Sequence, residues 1–177
     1  RGEDHVTNTA TQIEIFEALG AKVPSFAHYP LLVGVGGEGL SKRTGSMSIA
    51  SLRDAGIEAM AINSLLAKLG TSDAALPRTH LDELIAEFDL DKVGRAPAHF
   101  DPAELRAMNA KVLHATPHDT VAARLAALGV GGGETFWNAV RGNLETLDQA
   151  REWWAVVHDR LAPAAVDRVI ADAAADL

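Results

Sequence analysis

Ser41-Lys42-Arg43 sits between Gly39-Leu40 and Thr44-Gly45. An ammonium on a glycine-flanked loop can meet the negative charge that builds on an α-phosphate and on departing pyrophosphate when a nucleotide is cleaved. The serine hydroxyl and backbone N–H groups add donors, and the glycines let the backbone approach an anion closely. Taken alone, the tripeptide reads first as a solvated hairpin tip with two cations, because motifs this short recur by chance. Upstream, Arg1-Gly2-Glu3-Asp4-His5 groups a guanidinium, two carboxylates and an imidazole.

Other constellations are weaker. Gly34-Val35-Gly36-Gly37-Glu38-Gly39 satisfies G-x-G-x-x-G, but that fingerprint needs a helix opening directly after it to aim an N-terminus at pyrophosphate. A loop follows instead, so the match reads as a decoy and a dinucleotide-dependent oxidoreductase is disfavoured. His114 and His118 stand four apart, yet Pro117 interrupts the turn and no third zinc ligand is near. They read as polar residues at a helix junction. Trp137, Trp153 and Trp154 could stack on unpaired bases, but at helical positions large aromatics belong to the core. Asp82-Glu83 and Asp89 with Asp91 read as solvated helix faces.

The elements that must position this chemistry are mostly short helices. The 177 residues allow one or two domains, and an apolar fraction of 47% suffices for a core. There is no cysteine, hence no disulfide or thiolate zinc site. No apolar run approaches the ~18 residues of a membrane span, and no signal peptide opens the chain, so the cytoplasm is expected and no membrane partner. A net charge of −8 argues against gripping nucleic acid by bulk charge; Lys42, Arg43 and Arg53 could still form a local basic patch. Because the chain opens on Arg1, inside a motif, it is expected to be an internal piece of a longer protein.

Residues 9–19 predict a helix, with Thr9 and Gln12 as a capping box and Gly20 as the stop. Residues 31–35 and those near Leu40 suggest two short strands around Gly36-Gly37. Further helices are expected over 49–55, 58–69 and 81–88, the last capped by Thr79. Asp101-Pro102 with Glu104 is the strongest start, for a helix to about Ala115. Others follow over 117–128, 134–140, 144–160 and 163–175. The glycine run 131–133 is the expected hinge between an upstream and a downstream bundle.

Taken together, several stretches resemble bacterial glutamyl-tRNA synthetases, class I aminoacyl-tRNA synthetases, in an internal segment. They are Arg1-Gly2-Glu3-Asp4-His5 leading into Asn8-Thr9 and Gln12; Phe26-Ala27-His28-Tyr29-Pro30-Leu31-Leu32; Gly39-Leu40-Ser41-Lys42-Arg43-Thr44-Gly45; the helices of 49–69; and Phe100-Asp101 with Leu105 and Met108-Asn109. They run in the family's order and cover most of the chain, most weakly after Gly129.

The resemblance implies a mainly helical fold in three parts. Residues 1–47 would be the end of a nucleotide-binding α/β catalytic domain, 48–129 a helical stem-contact region, and 130–177 the start of an all-helical anticodon-binding domain. It implies ATP-dependent activation of L-glutamate to glutamyl-adenylate and transfer to tRNA(Glu), with Mg2+ accompanying ATP and tRNA(Gln) open as a second acceptor. Arg1 would recognise the glutamate through a carboxylate, a planar fork meeting a planar acid. Glu3, Asp4 and His5 would line the same cleft. Leu40, Ser41, Lys42 and Arg43 would bind ATP, with Lys42 and Ser41 at the phosphates. The family pattern is lysine-leucine-serine-lysine-arginine, and Gly39 stands where its first lysine would be; Lys42 with help from Arg43 is expected to suffice. The segment alone is expected to be inactive. Rival readings are a glutamine-specific relative, a queuosine-modifying relative (disfavoured by the long helical continuation after Gly70) and a non-catalytic tRNA-binding helical module.

Overall fold

A parallel pairing between two three-residue strands joins the first third of the chain to the helices that follow. The computed structural model describes residues 1–40 and 48–158. Strand β1 (Leu32–Gly34) pairs with β2 (Ala98–Phe100) in the register Leu32↔Ala98, Val33↔His99, Gly34↔Phe100. Val33 is buried on one face of the pair and Ala98 and Phe100 on the other, so the small sheet is covered on both sides, as parallel sheets are. The hairpin expected around Gly36-Gly37 is reduced to a turn: Gly37 N–H donates to Gly34 O at 2.9 Å, and a single antiparallel bridge links Val33 and Gly39. Gly37 has φ +81°, which only glycine adopts without strain. The main partner of β1 lies far along the chain, beyond the reach of any local signal.

Helix α1 (Val6–Ala18) begins earlier than the capping-box reading placed it. Residues Glu3–His5 form a 3-10 turn, and Thr9 lies inside the helix, donating its hydroxyl back to His5 O at 3.0 Å. Its side chain is therefore not an N-cap. Gly20 does end the helix, at φ +64°, with its N–H and that of Ala21 on Glu17 O and Phe16 O.

Helices α2 (Ile49–Asp54), α3 (Ala59–Leu66), α4 (Leu81–Glu87), α5 (Pro102–Ala115), α6 (His118–Ala127), α7 (Gly133–Val140) and α8 (Ala150–His158) follow. Asp101 caps α5 as its sequence requires, accepting Ala103 N–H at 2.7 Å. At α4 the cap is His80 rather than Thr79, and Glu83 reaches back to both N–H groups, at 3.1 and 3.3 Å. The helix expected over 144–160 starts later, because Leu144 is extended and Gln149 accepts the N–H groups of Glu145 and Thr146 in a 3-10 turn, Leu147–Gln149. The helix expected over 163–175 lies outside the described residues. Among the described residues no helix is long and apolar enough to cross a membrane.

Helix α5 feeds two cores. Leu105, Met108 and Val112 pack with Ala61, Leu65 and Phe100; Leu113 packs with Val121, Leu125, Val130, Phe136, Trp137, Val140, Leu144, Leu147 and Ala150. The second cluster takes residues from both sides of the glycine run. Gly131 and Gly132 lie under Trp154, where an added Cβ would stand 2.8 and 2.9 Å from the indole ring. Trp137 is fully buried and donates its ring N–H to Thr116 O at 2.9 Å, whereas Trp153 is exposed.

Candidate functional site

The N-terminal motif is held by backbone. Tyr29 N–H donates to Arg1 O at 2.6 Å and Glu3 N–H to Tyr29 O at 2.9 Å, while the Arg1 amine donates to Ala27 O at 3.0 Å. This clamp brings residues 1–3 alongside 27–29, and the adjoining 3-10 turn directs Arg1 toward α1. One guanidinium nitrogen, Nη1, lies 3.4 Å from Thr9 Oγ1 and also donates to Gln12 Oε1. His28 Nε2 reaches the same threonine oxygen at 2.9 Å. Asn8 Nδ2 donates to His5 Nδ1 at 3.2 Å, which leaves the His5 ring proton on Nε2, 3.7 Å from Asp4 Oδ2. Arg1, Glu3, Asp4 and His5 thus lie together on the segment leading into α1, Arg1 turned onto Thr9 and Gln12 and His5 beside Asp4, with Glu3 and Asp4 exposed.

Gly39 bridges Val33 on the edge of β1 opposite β2, and Leu40, partly exposed, follows it. Ser41, Lys42 and Arg43 lie outside the described residues. In the preceding turn the Glu38 carboxylate folds over Gly34 and stands 2.7 Å from where a Gly36 Cβ would be. An acid folded over the glycines repels a phosphate, which argues against a dinucleotide cradle in this turn.

Several of the remaining candidates have structural partners. His114 Nε2 lies 3.0 Å from Leu144 O. Trp154 meets Phe136 edge-on at 5.1 Å and stacks on His158 at 4.8 Å. Asp89 caps the 3-10 turn Leu90–Lys92 by accepting Asp91 N–H at 2.9 Å. Among the described residues no group of three or more His, Asp or Glu side chains is placed to hold a metal ion.

Sequence reasoning missed three groups. Thr9 serves as a hub rather than a cap, and His28, quoted only inside a motif, is its partner. Lys68 lies between Asp73 and Glu87, each at 3.2 Å; Arg78 Nη2 reaches Glu87 at 2.6 Å and Lys92 reaches Asp73 at 3.0 Å. Burial alone would lower the Lys68 pKa, but its bonds to Glu87 and Asp73 raise it above the usual value. Arg78 and Lys68 hold Glu87 below the carboxylate range, and Lys92 and Lys68 do the same for Asp73. Arg124 forks onto Glu58, which raises its pKa further. These pairs brace the links around α3, α4 and α6. Their spacing in sequence carries no signal beyond alternating charge.

Residues 1–107 match the family described as tRNA synthetases class I (E and Q), catalytic domain. The chain is 58% identical over 172 residues to a glutamate–tRNA ligase of Azospirillum brasilense, covering 96% of this chain and 38% of that protein. It is 52% identical over 176 residues to glutamate–tRNA ligase 1 of Maricaulis maris, covering 99% and 40%. The crystal structure of a glutamate tRNA ligase from Elizabethkingia meningosepticum in complex with its amino acid superposes with a TM-score of 0.73 at 24% identity, over 98% of this chain and 40% of that one. That likeness establishes the fold, mainly helical with a small parallel sheet. The chain spans about two-fifths of the length of the curated relatives it matches.

Proposed function

Because the chain belongs to the class I tRNA synthetases that handle glutamate and glutamine, we propose that the whole protein joins L-glutamate to tRNA(Glu) in two steps. ATP, taken as its magnesium complex, and glutamate first give glutamyl-adenylate and pyrophosphate: a glutamate carboxylate oxygen attacks the α-phosphorus and the bond to pyrophosphate breaks. A terminal ribose hydroxyl of the tRNA then attacks the acyl carbon and AMP leaves. Catalysis rests on positioning and charge stabilisation rather than covalent chemistry by the protein.

In this proposal Arg1 receives a carboxylate of glutamate, and Glu3, Asp4 and His5 line the cleft beside it. Leu40 borders the adenine, while Ser41, Lys42 and Arg43 bind the phosphates. Residues 1–47 belong to the catalytic domain, 48–129 to a stem-contact region and 130–177 to the start of the anticodon-binding part. The second boundary marks a change of role and not a gap in packing, since one core cluster bridges it. The enzyme would work in the cytoplasm.

The observation that supports the reading best is the guanidinium of Arg1. Nη1 is turned onto Thr9 and Gln12, and among the described residues Nε and Nη2 have no hydrogen-bond partner. A fork held at one tine leaves the other for an acid. The test is glutamate-dependent ATP–pyrophosphate exchange by the complete protein with tRNA(Glu) present. Wild type should exchange, and Lys42→Ala should lose about 100-fold in kcat, as expected for removing one transition-state charge partner. A Lys42→Ala rate within threefold of wild type would overturn the assignment. Exchange with glutamine alone would move the protein to the glutamine-specific branch, and tRNA binding without exchange to a non-catalytic module. Charging of tRNA(Gln) is measured alongside.

A further inference from the structure

We propose that Thr9, Gln12 and His28 are positioning residues that aim the Arg1 guanidinium at its substrate carboxylate, an inference that rests on the glutamate role given to Arg1 above. A threonine oxygen offers one proton and two lone pairs. The proton of Thr9 goes to His5 O at 3.0 Å, the back-bond within α1. Both remaining neighbours must therefore donate: Arg1 Nη1–H at 3.4 Å, as it always can, and His28 through Nε2–H at 2.9 Å. The oxygen is then saturated, and Thr9 itself is 5% exposed. Gln12, one turn further along α1, accepts from the same Nη1 through Oε1. Arg1 is thus held at one nitrogen by two neutral acceptors.

Neutral acceptors matter here. A carboxylate in place of Gln12 would fix the guanidinium as firmly but satisfy its charge, so that a substrate acid would have to compete with it. The amide and hydroxyl orient the fork while leaving the full positive charge for the ligand. His28 acts one step back, by occupying the lone pair that would let the hydroxyl turn away from Arg1. Its place is set by the clamp on either side of it, Ala27 O on the Arg1 amine and Tyr29 N–H on Arg1 O. The same backbone therefore carries both Arg1 and the residue that orients its side chain.

The test uses the complete protein in the exchange assay, with KM for glutamate, KM for ATP and kcat read separately. Gln12→Leu and Thr9→Val should raise KM for glutamate about 5–10-fold, on the scale of one lost hydrogen bond, with KM for ATP within twofold. Thr9→Ser should restore it to within twofold of wild type. Gln12→Glu should raise it at least tenfold without lowering the melting temperature, an outcome that a merely structural role for Gln12 would not produce. Arg1→Lys separates the two claims. If Arg1→Lys leaves KM for glutamate unchanged, the substrate role of Arg1 falls. If it raises KM while Gln12→Leu and Gln12→Glu do not, the positioning inference alone falls. Should Thr9→Val lower the melting temperature sharply, the half-buried Gln12 variants still decide.

Discussion

Replacing Asn109 tests how the helical body is held in register. This side chain is fully buried in the middle of α5, yet both its N–H groups and its oxygen are hydrogen-bonded. Oδ1 accepts Glu58 N–H at 2.7 Å, and Nδ2 donates to Gly56 O at 3.2 Å and Glu145 O at 2.7 Å. One residue thus ties the α2–α3 connection and the segment before α8 to the central helix. Asn109→Leu keeps the branching and approximate volume but orphans three backbone groups. Each buried unsatisfied group costs about 1–3 kcal/mol, partly offset by about 1–2 kcal/mol of added apolar burial. A net loss of about 1–8 kcal/mol follows, or roughly 2–32 °C in melting temperature at the ~2–4 °C per kcal/mol of a chain this size. Asn109→Asp carries an opposite pH signature. Its carboxylate would face two carbonyl oxygens in a dry site, which raises its folded pKa above the unfolded value. That variant should therefore gain stability as pH falls from about 7 to about 5 and the acid protonates. Urea unfolding followed by tryptophan fluorescence reads both. A loss under about 1 kcal/mol for Asn109→Leu, or no such gain for Asn109→Asp, would refute the bridging role.

Two further outcomes are expected. Gly132→Ala should destabilise by about 1–3 kcal/mol, because φ is +75° and the new Cβ would stand 2.6 Å from Phe136 Cβ; Gly37→Ala, at φ +81° with open space around it, should lose less in the same thermal melt. Glu87 has a folded pKa below its unfolded one, so its contribution is present above the ordinary carboxylate range and fades as pH falls through it. Glu87→Gln should accordingly lie below wild type in urea midpoint at about pH 7, with the gap narrowing as pH falls into and below the carboxylate range.

Punctuation made most of the helices legible. Asp101-Pro102, Gly20, Gly56, Gly70 and Gly129 each state a local geometric need, and each is met where the sequence puts it. Side chains with two possible employers were not legible. Thr9 three before Gln12 has the form of a capping box, but the capping box yields once Arg1 and His28 arrive from outside the helix. Strand β2 was hidden for a similar reason. Three residues before an N-cap aspartate carry no period, and Ala98-His99-Phe100 becomes a strand only because Leu32–Gly34 lies beside it. Of the candidate site, the Arg1–His5 cluster could be named from sequence, whereas the residues that orient it could not.

The small sheet explains why a site at one end of the chain depends on helices near its middle. Tyr29 and β1 lie on one stretch of backbone: its start clamps Arg1, and its end pairs with β2, directly ahead of α5. Tyr29 also donates its hydroxyl to Leu69 O at 3.0 Å, and Pro30 lies against Gly70, where φ is +81° and an added Cβ would stand 2.9 Å from Pro30 Cγ. The segment carrying Arg1 and His28 is therefore fixed to the end of the α3 region by side chains and to α5 by backbone. Neither anchor is among the residues assigned to the substrate, yet both set where the fork can point. A guanidinium displaced by about 1 Å loses a substantial part of a bidentate bond. Changes at Gly70 should therefore reach glutamate binding through Pro30, without any contact between Gly70 and the ligand.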